Sequence, residues 1–200
     1  MKKAWLLPLV LLMLYGCSSS HMADVAPADM SEFVAEEESA IVFLRATNFG
    51  GAIQAPVVEV GNEGPEFVAI VSAAKKIMHR TSPGEHVFVI GGESSGALKA
   101  ELSPGKIYYV HVEPKMGLWK ARFVMVPVKP GELATESFRK DLGWCKWSKP
   151  GPSAGVWFEE NRASMAEKAQ EALKADKIPE VLPEYGVDAP VEPLLKTKAE

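Results

Sequence analysis

Ser82-Pro83-Gly84-Glu85-His86-Val87-Phe88-Val89-Ile90 and Ser103-Pro104-Gly105-Lys106-Ile107-Tyr108-Tyr109-Val110 decide the fold class of this chain. In each, a serine-proline-glycine turn runs directly into a β-rich segment. Proline presets φ at the first corner of a turn, and glycine accepts the positive φ that other residues avoid. Outward from these two stretches, short β-rich runs separated by Gly and Pro recur from Ser39 to Val128. They predict strands over Ala40–Ala46, Val57–Val60, Glu66–Val71, Lys75–His79, Glu85–Ile90, Ala97–Leu102, Ile107–Glu113 and Leu118–Val128. About eight short strands at this spacing point to a mainly β fold, a sandwich of antiparallel strands rather than alternating βαβ units. Pro127, late in the last run, puts that strand at an edge or ends it there.

After Pro130-Gly131 the character changes. Leu133 to Leu142 has helical composition, with Phe138 and Leu142 one turn apart and Gly143 placed as a C-terminal cap. Ser148 to Gly155 is rich in Gly, Pro and Ser and predicts a loop. Phe158 to Lys177 predicts a longer helix, stopped by Pro179, with a narrow stripe of Phe158, Met165, Ala169 and Ala172. So small an apolar face predicts loose docking on the sandwich or a surface open to a partner. The last twenty residues, rich in proline, predict an extended tail. The division is therefore a sandwich over residues 39–130 and a separable helical extension over 131–200. Truncation after Asp176 is then expected to leave stability almost unchanged, and truncation after Gly131 to weaken the fold without abolishing it.

The N-terminus carries an address. Lys2 and Lys3 precede an apolar run from Ala4 to Leu14, too short to span a bilayer as a helix of roughly 20 residues. It ends in Leu14-Tyr15-Gly16-Cys17, which looks like a bacterial lipoprotein signal, with cleavage before Cys17 and acylation of that cysteine. Residues 1–16 are then a signal peptide, and the acyl chains are the link to the membrane. Ser18 and Ser19, where aspartate would favour retention in the inner membrane, predict the outer membrane of a Gram-negative cell. Residues 17–38, opening in serines and gathering Asp24, Asp29, Glu32, Glu36, Glu37 and Glu38, predict a flexible acidic tether.

Without residues 1–16 the chain has 184 residues, 20 of them basic and 26 acidic, a formal balance of −6. A mildly acidic surface does not suit nucleic acid. Cys17 taken by lipid leaves Cys145 alone, so the fold rests on its hydrophobic core and not on an internal disulfide. Trp144-Cys145-Lys146-Trp147 predicts a packed, inert thiol at Cys145.

No phosphate loop, dinucleotide fingerprint, HExxH helix or Gly-x-Ser-x-Gly elbow occurs. Gly91-Gly92-Glu93-Ser94-Ser95-Gly96 lies between two predicted strands and predicts a hairpin loop, not an anion cradle. His79, His86 and His111 come from three strands without metal-ligand spacing, and no serine has a recognisable base and orienting carboxylate. Neither a catalytic residue, a metal nor a cofactor is assigned. Four of the five tryptophans remain as the candidate ligand surface: Trp119, Trp144, Trp147 and Trp157. Clustered indoles can bind a glycan or peptide, or can join the helical extension to the sandwich.

The opening strand Ala40-Ile41-Val42-Phe43-Leu44-Arg45, the hairpin Pro83-Gly84-Glu85-His86-Val87-Phe88-Val89, the run Leu102 to Val110, Lys115-Met116-Gly117-Leu118-Trp119 and the lipid-attachment motif carry a resemblance. Together they resemble a family of small bacterial envelope lipoproteins with a PEGA-like β-sandwich, a domain of unknown function. The resemblance implies a fold and an address over residues 39 to 128 and no catalytic residue. The expected role is a non-enzymatic binding or assembly module in the cell envelope, with an envelope protein or glycan as partner. The alternative is an envelope hydrolase or carbohydrate-active protein.

Overall fold

Ala40-Ile41-Val42-Phe43-Leu44 is apolar without alternation, and the strand it forms, β2 (Ser39–Arg45), is buried at every position. A strand that reads this way needs cover on both faces. In the computed structural model, which describes residues 21–51, 53–92, 94–116 and 121–194, it has that cover. The signal peptide, Cys17 and Trp119 lie outside the described residues.

The molecule is mainly β, a sandwich of two mixed sheets with helices on its outer faces. The six-stranded sheet has the order β1 (Met22–Asp24), β10 (Lys146–Pro150), β5 (Lys75–Thr81), β2, β8 (Ile107–Met116) and β9 (Ala121–Pro127). The five-stranded sheet has the order β11 (Glu180–Val181), β7 (Gly96–Leu102), β6 (Gly84–Ile90), β3 (Pro56–Gly61) and β4 (Gly64–Ile70). All eight expected strands are present. Gly84 and Gly105, the turn glycines of the two opening motifs, have φ of 127° and 72°. β9 is an edge strand, as Pro127 required.

The pairing is not wholly antiparallel. β2–β8, β10–β5 and β11–β7 are parallel. Parallel neighbours need a long crossover, which the chain supplies by passing through the other sheet or through a helix between the two strands.

Three apolar layers result. Ile41 and Phe43 of β2 meet Phe88, Tyr108, Val110 and Phe123 between the sheets. Ala40, Val42 and Leu44 meet Tyr109, Phe138, Leu142 and Trp147 on the outer face, under α1 (Pro130–Leu133) and α2 (Glu136–Trp144). Val58, Val89 and Ala97 of the other sheet lie under Phe158, Met165, Ala169 and Ala172 of α3 (Ala154–Ala172).

These contacts correct the division drawn from sequence. Residues 131–194 are not a separate unit, because β10 lies inside the six-stranded sheet, and it takes in Ser148–Pro150 from the start of the expected loop. The stripe on α3 is the expected one and packs on Val58 and Val89, although the helix runs Ala154–Ala172 and not Phe158–Lys177. The proline-rich tail is extended yet docked. Ile107 and Val187 exchange backbone bonds of 2.9 and 3.0 Å, and the Val191 amide donates to the Tyr109 hydroxyl at 2.9 Å. Gly143 lies within α2, which Cys145 caps. A Cβ at Gly143 would stand 2.2 Å from the Leu194 carbonyl, so glycine is there for the passage of the tail.

The tether is corrected as well. β1 pairs with β10, Met22 is buried in the core between the sheets, and the Val25 amide donates to the Trp147 carbonyl at 3.0 Å. Arg80 then holds the carbonyls of Ser31 and Phe33, each at 2.7 Å. Acidic composition did not keep this segment free, because strand pairing uses backbone groups that every residue carries.

Candidate functional site

Lys76 points to the outer face of β5, since its neighbour Ile77 fills the core between the sheets and side chains alternate along a strand. The parallel register of β10 sets Trp147 beside Lys76 on that face. The Lys76 ammonium stands 4.6 Å from the centre of the Trp147 ring and donates to the Leu142 carbonyl at 2.7 Å. A cation against an indole, largely out of water, is held by about 2 kcal/mol. Lys76 is only 5% exposed. Burial pulls its amine below the usual lysine range, and the nearby Glu32 carboxylate opposes that. Burial likewise raises the Glu32 carboxyl, against the pull of Lys76 and a hydrogen bond from the Trp147 indole.

These groups line a cleft of about 490 Å³, walled by Val25, Ala26 and Pro27 on one side and by Gly143, Cys145 and Pro193 on the other. Mostly apolar walls with a few fixed polar groups are the usual make-up of a small-molecule site. The Cys145 thiol is buried and pushed up to about 12 by that burial, so it offers little thiolate. The cleft suits an apolar body carrying an anionic or hydrogen-bond-accepting group for the remaining N–H groups of Lys76.

The three candidate tryptophans among the described residues do not form one platform. Trp147 lines this cleft, and Trp144 packs half-buried against the same apolar layer. Trp157 belongs to α3, with its ring 6.0 Å from Phe67 and 5.6 Å from His21.

The histidines separate similarly. His111 packs against Phe138 on the outer face and lines a second, more open cleft of about 420 Å³ with Glu113, Glu132 and Asp141. Burial draws His111 below its usual value and raises Asp141, while each charge partly offsets the other's shift. His79 and His86 instead meet at Glu59, between the sheets. His79 Nε2 is 2.9 Å from one carboxylate oxygen, and His86 Nδ1 is 2.6 Å from the other. His86 Nε2 also faces the Ser82 carbonyl at 2.8 Å. Both His86 nitrogens thus face acceptors. The two histidines hold the Glu59 carboxyl below the usual carboxylate value, chiefly through the bond from His79. Among the described residues no group of three or more side chains is arranged to hold a metal ion.

Sequence reading singled out Trp147 but missed Lys76, Glu32 and Glu59. For Lys76 and Glu59 the signal was a charge set beside apolar strand residues, as in Lys76-Ile77 and Val58-Glu59-Val60, and Glu32 lies outside any strand. The Gly91–Gly96 segment joins β6 to β7 as expected. The fold and cleft define a helix-flanked β-sandwich with a lysine-floored apolar site. No family model matches this chain, and neither a curated protein nor a solved structure matches it.

Proposed function

We propose that this chain is a lipid-anchored, non-enzymatic binding module of the bacterial cell envelope, with the Lys76–Trp147 cleft as its ligand seat. The observation that carries the seat is a buried ammonium, paired to a backbone carbonyl and an indole face, at the floor of an apolar cleft. The anchor rests on the Gly16-Cys17 motif, and the placement in the outer membrane on Ser18 and Ser19. An amphipathic anion, a glycan or a short segment of an envelope protein fits the role.

The probe for the cleft is the anionic dye 1-anilinonaphthalene-8-sulfonate. Saturable fluorescence at one site, weakened at least tenfold in Lys76→Met with unchanged circular dichroism, is the expected result. Equal titrations in both proteins would remove Lys76 from the site. For the anchor, Cys17→Ser should abolish incorporation of radioactive fatty acid.

One observation favours a second reading as an envelope hydrolase. His111 and three carboxylates line the open cleft over β8 and β9, a set from which acid–base chemistry can be built. His111→Ala abolishing a hydrolytic activity found with envelope glycans would favour it.

A further inference from the structure

The anchor and the fold together fix which side of the molecule meets the membrane. Under the acylation reading proposed above, Cys17 holds the acyl chains, and only four residue steps separate it from His21. Four steps reach at most about 14 Å in any conformation. His21 is itself fixed: its carbonyl accepts from the Gly151 amide at 2.8 Å, and its ring lies 3.2 Å from the Ser153 hydroxyl. The chain therefore enters the fold beside the first turn of α3, where Pro152 and Val156 are exposed, Val156 by 65%. Trp157, half-buried against His21, completes this corner.

An exposed ring stands at the same end. β5 and β10 run parallel, and β10 finishes at Pro150, opposite Met22. Phe33, 77% exposed, is held over Arg80 near the corresponding end of β5.

We infer that Val156, Pro152 and Phe33 form a membrane-contact surface that seats the sandwich directly on the leaflet holding the Cys17 acyl chains. Exposed apolar side chains beside a tryptophan match the interfacial layer of a bilayer, where an amphipathic indole is favoured. The His111 cleft then opens away from the lipid. His111 and its partner Val126 lie level with Leu44 and Lys76, at the opposite strand end from Thr81. β9 is also five strand spacings, roughly 24 Å, from β1.

The test uses the full chain, purified in acylated form and reconstituted into phosphatidylcholine vesicles with brominated acyl chains. Val156→Cys, Phe33→Cys and Val126→Cys are each labelled with bimane; buried Cys145 does not compete. Bromine quenching at positions 156 and 33 at least twofold greater than at 126 is expected. Equal quenching at all three positions, in protein that floats with the vesicles, would overturn the contact surface and leave the anchor standing. Protein that neither carries fatty acid nor floats would overturn the anchor and this proposal with it.

Discussion

Arg45 shows how one residue can organise a loop. It ends an apolar strand with its side chain fully buried, and among the described residues no carboxylate pairs with it. Its guanidinium donates instead to the carbonyls of Phe49, Gly50 and Ile53 at 3.0, 2.7 and 2.8 Å, and to Val71 at 3.4 Å, with Phe123 beneath at 4.6 Å. Arg45→Met would leave these acceptors, the buried Val71 carbonyl and the part-buried loop carbonyls, without this donor. Each unsatisfied group costs about 1–3 kcal/mol, so a loss of at least about 3 kcal/mol is expected in urea unfolding. A loss below about 1 kcal/mol would mean that water replaces the guanidinium without penalty. Glu59 acts through charge. Its carboxyl titrates lower in the fold than in the unfolded chain, so its stabilisation is complete above the unfolded value near 4.5. It is lost as pH falls through the folded value. Between pH 5 and 3 the urea midpoint of the wild type should therefore fall more steeply than that of Glu59→Gln. Parallel curves would show that the His79–Glu59–His86 group does not couple folding to acid.

At the scale of elements, the tail is held by backbone pairing and by side chains such as Tyr109 and Arg139, and glycine leaves the room for its passage. The Leu194 amide donates to the Arg139 carbonyl at 3.0 Å while the Leu194 carbonyl passes over Gly143. Gly143→Ala would place a Cβ inside that contact. Alanine is a better helix former than glycine by about 1 kcal/mol, so α2 itself should be strengthened as the tail is displaced. Limited proteolysis should then cleave near residue 190 several times faster than in the wild type, with little change in melting temperature. Unchanged cleavage would show that the tail is held upstream, at Val187 and Val191. The same principle explains α3. An alanine stripe buries little area per residue, but it brings Phe158 and Met165 against Val58 and Val89.

At the scale of the molecule, β10 makes the two halves of the chain interdependent. It stands between β1 and β5, and α2 and α3 cover opposite outer faces. A chain ended after Gly131 would expose Ala40, Val42 and Leu44 on one side and Val58, Val89 and Ala97 on the other. The four larger side chains, Val42, Leu44, Val58 and Val89, each forfeit roughly 1.5–3 kcal/mol when uncovered, a loss of about 6–12 kcal/mol that is comparable with the whole 5–15 kcal/mol stability of an ordinary domain. Such a fragment should not fold, as read by far-ultraviolet circular dichroism and amide exchange. The intact protein should unfold in one transition with coincident fluorescence and circular dichroism. A folded, cooperative fragment would restore the division drawn from sequence.

By itself the sequence determined the eight strands from β2 to β9, because their signals are local: β-rich runs, the Pro-Gly turns before β6 and β8, and Pro127 at an edge. It also determined which face of α3 is buried, since the positions of Phe158, Met165, Ala169 and Ala172 follow from helical period alone. Trp147 was legible as a candidate by residue type. Tertiary structure alone decided that Met22–Asp24 and Lys146–Pro150 are strands, because each is short, carries polar residues or proline, and pairs only with strands far away in sequence. The site depended on the same pairing. Lys76 is an ordinary strand lysine until β10 arrives in parallel beside it and brings Trp147 over its ammonium, and Glu59 is a surface acid until two strands present their histidines to it. Periodicity tells which way a side chain points; what it meets there is set by chain arriving from far along the sequence.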